Sequence, residues 1–160
     1  MMEPTPGLVT ATWNEKKRGT LLFADPEKGT VPFAVPPEFR GHPHVIDPED
    51  LFLSAVSACF TSYVLNVAEQ MRIKFRSLSV TATDTIDPCG IDFVISGVHL
   101  AASATVSSEK DAKKAERAFS LATKGCYIAK SILAEVTVST AVTVESEESE
   151  CGQKAGMAAV

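Results

Sequence analysis

Two cysteines stand where a thiol could do chemistry: Cys59, inside the apolar run LFLSAVSACFTSYVLNVA, and Cys126, inside ATKGCYIAKSIL. A cysteine midway along a hydrophobic helix is ordinarily a small apolar filler. Two of them could instead meet in space and cycle between dithiol and disulfide. A thiol attacks an electrophile as the thiolate, and a free cysteine with a pKa near ~8.5 is mostly protonated at neutral pH. Burial raises that value, so a reactive buried thiol calls for a cation beside it. A guanidinium suits the task, because its planar fork holds a thiolate or peroxide oxygen on one side and a carboxylate on the other. Oxidation of one thiol to a sulfenic acid lets a second thiol close by condense with it before over-oxidation.

Other candidate chemistry is thin. His42 and His44 lie in a Pro/Gly loop and read as solvated, His99 sits in a strand, Cys89 in a turn and Cys151 in the tail. No CxxC or Cys/His spacing points to a metal, and GxGxxG, P-loop, HExxH and GxSxG patterns are absent, so neither a metal nor a cofactor is expected.

The elements that position the thiols follow from the pattern. Residues 8–13, 20–24 and 30–35 read as short strands, the third demoted to an edge by Pro32, with DPEKG at 25–29 as a turn. The stretch 36–44, PPEFRGHPH, reads as an ordered loop. A long helix is expected from Asp47-Pro48-Glu49-Asp50 to about Met71: Asp47 can cap it, Pro48 fits the first turn, and the acidic residues suit the dipole. Its apolar residues fall on every side, the pattern of a helix buried at the centre of something. Two antiparallel strands are predicted over 76–86 and 91–106. A helix follows Ser108 and stops at Lys124-Gly125, another runs from Cys126 to about Leu133, and a β-branched strand covers 135–145. The fold class is α+β with largely antiparallel pairing. A single domain spans 1–145, and 146–160, acidic and then Gly/Ala-rich, reads as a disordered tail.

The bulk numbers agree with one globular domain: 160 residues, 45% hydrophobic, 22% charged. A net charge of −5 and the lack of a basic stripe argue against nucleic acid. The N-terminal MMEPTPGLVTATW lacks a signal-peptide pattern, and unbroken apolar stretches are only a few residues long, so no membrane partner is expected and the address reads as cytoplasmic. There, a disulfide is more often catalytic than structural.

The run DPEDLFLSAVSACF resembles the signature of the OsmC/Ohr family of thiol-dependent hydroperoxide reductases, in which an Asn/Asp-Pro-Glu opens the central helix and Ala-Cys-Phe follows ten residues after the Glu, as Cys59 follows Glu49 here. EFRG resembles the family's Glu-Leu-Gly-Gly segment, and Cys126 stands where the family places its second cysteine. The resemblance covers roughly 10–145. It implies antiparallel sheets wrapped around a central buried helix in an intertwined homodimer, a peroxidatic Cys59, a resolving Cys126, and an Arg held by Glu49 beside the Cys59 thiolate. Arg18 stands at the interval of one branch of the family and Arg40 nearer that of the other; Arg18 is favoured. It further implies an organic hydroperoxide as substrate and an external dithiol, small or lipoylated, as reductant. The family often has Pro, an apolar residue and Ser after its second cysteine, where this chain has Tyr127, Ile128 and Ala129.

Three physical arguments stand beside the resemblance. Ten helical residues rise about 15 Å, so Glu49 cannot touch Cys59 of its own chain: a long Arg must span the gap, or a second copy must supply Glu49. A homodimer with sites at its interface answers this, and also covers the all-round apolar helix. Against the assigned roles, Cys126 at a helix start between Lys124 and Lys130 is expected to have the lower pKa. The apolar surroundings of Cys59 (Phe52, Val56, Phe60, Tyr63) favour alkyl or fatty-acyl peroxides. The alternatives are a non-catalytic, stress-associated or ligand-binding protein of the same fold, and Cys-based hydrolysis with His42 or His44 as base.

Overall fold

The computed structural model describes residues 7–145. It divides between Ala55 and Val56 into two compact units. The first holds a three-stranded antiparallel sheet in the order β1 (Val9–Glu15), β2 (Arg18–Phe23), β3 (Thr30–Ala34), so β3 with its Pro32 is indeed an edge. Short 3-10 turns at Pro26–Lys28 and Pro37–Phe39 fill the connections, the first capped by Asp25, whose carboxylate accepts from the Glu27 N–H. Gly41 is held where any side chain is impossible: a Cβ there would lie 1.6 Å from the Val35 carbonyl oxygen.

The long helix α1 (Pro48–Met71) starts where the sequence places it. Asp47 and Asp50 close a reciprocal cap: the Asp50 N–H donates to Asp47 Oδ1 (2.9 Å) and the Asp47 N–H to Asp50 Oδ2 (3.3 Å). At its far end Arg72 turns left-handed (φ 58° at Arg40 and 54° here are comparable), the Ile73 N–H returns to the Ala68 carbonyl, and Lys114 Nζ donates to the Met71 carbonyl at 3.1 Å. One chain covers only part of the apolar surface of α1. Within the second unit only Val56, Phe60, Val64, Val67 and Ala68 are buried, one stripe at helical spacing, while Ala58 and Leu65 face outward. Although its unbroken apolar stretches are short, α1 would also qualify as a membrane span by length and mean hydropathy, a test that the core helix of a globular protein passes as well.

The second unit also carries β4 (Phe75–Cys89), β5 (Asp92–Val106), α2 (Glu109–Gly125), α3 (Tyr127–Ser131) and β6 (Glu135–Val144). β4 and β5 form the expected antiparallel hairpin, turned at Gly90 with φ 66°. β6 differs: it pairs with β5 in parallel, from Gly97↔Glu135 to Val106↔Val144. The two helices between them carry the chain back to the end where β5 began, and such a crossover yields parallel rather than antiparallel strands. Ser108 caps α2, accepting from the Asp111 N–H at 3.1 Å. Ala112, Ala115, Ala118, Phe119 and Ala122 form its buried face, and Phe60 of α1 stacks on Phe119 with centroids 6.5 Å apart. His99 bridges Thr137 Oγ1 and Ser139 Oγ, each at 2.9 Å, on the exposed face of the sheet. The tail 146–160, with Cys151, lies outside the described residues.

Candidate active site

The second unit brings the two thiols together. Cys59 sits half-buried on α1, one residue before the buried Phe60. Cys126 is the residue that ends α2 and begins α3, with a φ of −60° and ψ of 107° that breaks the helix between them. This break aims its side chain inward: it is 1% exposed, and its thiol lies close enough to Cys59 for the two to interact. Both are free thiols.

Burial pushes the Cys126 thiol above its ordinary value, and the neighbouring Cys59 thiol pushes the same way. The backbone amides of Ala129 and Ile128 pull it down, but less. This corrects the expectation that dipole and lysines lower the pKa of Cys126. α3 has only five residues, and Lys124 and Lys130 are both exposed, so water screens their charge.

Tyr63 was already legible as a neighbour of Cys59; its contact with Gly125 and a cavity beside Cys126 were not. Tyr63, one turn beyond Cys59, lies against Gly125, the residue before Cys126; a Cβ there would stand 2.1 Å from Tyr63 Cζ. The only sequence signal was that glycine, which reads equally well as a helix stop. A cavity of about 190 Å³ also opens beside Cys126, between Phe60, Leu100, Val136 and Val138, with Thr123 and Lys130 at its rim.

The remaining expected site residues belong to the first unit. Arg18 opens β2, paired with Glu15 and Ala34, and lines a cavity of about 480 Å³ with Phe33, Ile46 and His44, whose φ of 62° is left-handed. Among the described residues its guanidinium has no ion-pair or hydrogen-bond partner. Arg40 is exposed and left-handed at the end of the second 3-10 turn. Glu49, in the first turn of α1, has a buried Oε2 with no hydrogen-bond partner among the described residues. No group of three His, Cys, Asp or Glu side chains among those residues could hold a metal.

The OsmC-like protein family model matches residues 41–141, more than half of the chain and the segment that carries α1 and both thiols. The chain belongs to the OsmC family. Solved structures agree at the level of the fold. An OsmC-like protein of unknown function from Vibrio cholerae is 20% identical, with a TM-score of 0.76 over 86% of this chain and 100% of that one. An organic hydroperoxide resistance protein from Elizabethkingia anophelis is 22% identical (TM-score 0.68; 91% and 100% covered). One from Legionella pneumophila is also 22% identical (TM-score 0.64; 89% and 100% covered). No curated protein matches the sequence. Within this OsmC-family chain, α1 is thus the long helix of a known α+β fold with two sheets.

Proposed function

We propose that this chain is a thiol-dependent peroxidase that reduces organic hydroperoxides to alcohols. The observation that carries the reading is the closeness of Cys59 to buried Cys126, in a family that includes organic hydroperoxide resistance proteins. Cys59 is the more accessible sulfur and takes the peroxidatic role. Its thiolate attacks the distal peroxide oxygen, the O–O bond breaks, and the alkoxide leaves as the alcohol after gaining a proton. The Cys59 sulfenic acid then condenses with Cys126, releasing water and forming a disulfide. An external dithiol, small or lipoylated, restores both thiols.

Arg18 supplies the cation and Glu49 orients it. The unpartnered guanidinium of Arg18 and the orphaned buried oxygen of Glu49 support this assignment, since each lacks the complement that the other type of group provides. A second copy of the chain completes the site. The whole of 1–145 acts as one such domain, working in the cytoplasm, with no cofactor, nucleic acid or membrane. Val56 and Tyr63, one turn to either side of Cys59, favour a hydrocarbon-bearing peroxide.

The reading is tested by treating reduced protein with cumene hydroperoxide and counting thiols. Loss of two, recovered as a Cys59–Cys126 disulfide, is the expected result. No thiol consumption at low peroxide excess points instead to a non-catalytic binding protein of the same fold.

A further inference from the structure

The cavity beside Cys126 has a feature that matters for the return half of the cycle. It is lined by Cys126 and not by Cys59, so it meets the pair from the Cys126 side alone. A thiolate displaces one sulfur of a disulfide in line, entering opposite the sulfur that leaves. A nucleophile in this cavity therefore meets Cys126 rather than Cys59. Its walls are Phe60, Leu100, Val136 and Val138, and the exposed Thr123 and Lys130 stand where it reaches the surface. At about 190 Å³ it is smaller than the sites of drug-sized ligands. It accommodates a compact thiol, and the Lys130 ammonium favours an anionic one.

We propose that this cavity is the entry site of a small thiol reductant, which attacks Cys126, so that peroxide and reductant reach the pair from different sides. The inference rests on the thiol-peroxidase reading for its place in a cycle, although the exchange chemistry can be tested without it. The incoming thiolate forms a bond to the Cys126 sulfur, the Cys59–Cys126 bond breaks, and its electron pair leaves on Cys59 as thiolate. The second thiol of a dithiol, as thiolate, then displaces Cys126, which takes up a proton. The dithiol is oxidised to a disulfide and the protein is reduced to two thiols. The direction agrees with the chemistry of the leaving group: burial raises the Cys126 thiol, which disfavours expelling its thiolate.

The test uses the full chain with Cys89→Ser and Cys151→Ser, leaving one thiol pair. Diamide forms the disulfide without any peroxide turnover, so a failed peroxidase reading and a failed entry-site reading give separate signals. Limiting 2-mercaptoethanesulfonate is added, the reaction is quenched in acid, free thiols are alkylated, and peptides are mapped by mass spectrometry. The expected product carries the sulfonate thiol on Cys126 and the alkyl group on Cys59; the reverse distribution overturns the proposal. Filling the cavity by Val138→Phe is expected to slow exchange at least ten-fold. Lys130→Gln, an exposed change that spares the core, is expected to slow the anionic probe several-fold more than neutral 2-mercaptoethanol. Wild-type exchange rates in both variants would likewise overturn it.

Discussion

The Cys126 sulfur is almost inaccessible, and its burial determines how a thiol pair would divide the work. A sulfur kept neutral and out of solvent is a poor first nucleophile and a well-placed second one. Cys59→Ser is therefore expected to abolish peroxide turnover, whereas Cys126→Ser permits one turnover and then over-oxidation of Cys59, read as a mass gain of sulfinic or sulfonic oxygen. The raised thiol also makes stability depend on pH. Its folded pKa lies above the ordinary 9.0, so the unfolded chain loses the proton first as pH rises. The unfolded state then binds fewer protons and unfolding becomes easier. The contribution is fully present below 9.0 and is lost as pH climbs through the folded value. Denaturant midpoints of the reduced protein should fall above that pH, and Cys126→Ala should remove this part of the fall. At this scale the sequence revealed the two thiols but misjudged the direction in which the Cys126 thiol is shifted. Dipole and lysines are visible in a sequence, while the desolvation that outweighs them is a property of packing.

Elements place those thiols through a few local contacts. The break at Cys126 lets α2 and α3 meet at an angle that turns the side chain inward, and Gly125 beside it leaves room for the Tyr63 ring. Gly125→Ala forces that ring to move and is expected to cost about 1–3 kcal/mol, as over-packing does. The double change Gly125→Ala, Tyr63→Leu should restore part of the loss in thermal unfolding, because the ring that clashes is gone. Asp47→Ala removes one arm of the reciprocal cap on α1 and should cost about 1 kcal/mol. Caps, turns and strand periodicity were legible because each is written in residues three or four apart. Asp47/Asp50 and Ser108/Asp111 appear where the sequence puts them. The parallel pairing of β6 with β5 was not legible, since β-branched alternation has the same period in either direction. The apolar surround of α1 was legible, and it exceeds what one chain covers: composition says what a helix could bury, not what one chain provides to cover it.

That uncovered surface is a matter for the whole molecule. Among the described residues of the first unit, Ala34 is the one buried apolar side chain, and Trp13 on β1 is 72% exposed. In the second, α1 turns Ala58, Ser62 and Leu65 outward. Small residues on a helix permit close approach by another backbone, and apolar area of this kind drives association. With Glu49 and Cys59 separated by ten residues of sequence, a second copy would both cover the helix and complete the site. Light scattering should then give twice 17.0 kDa, and a monodisperse species at 17.0 kDa sinks the dimer. Complementation asks the sharper question of where Glu49 acts. Cys59→Ser and Glu49→Ala chains, each deficient alone, are co-expressed and purified together. If Glu49 serves its partner's thiol, each mixed dimer holds one complete site. Random pairing in a two-fold dimer makes half of the dimers mixed, so activity returns to about a quarter of wild type. If Glu49 serves its own chain, no mixed dimer holds a complete site, and the mixture stays as inactive as its parts.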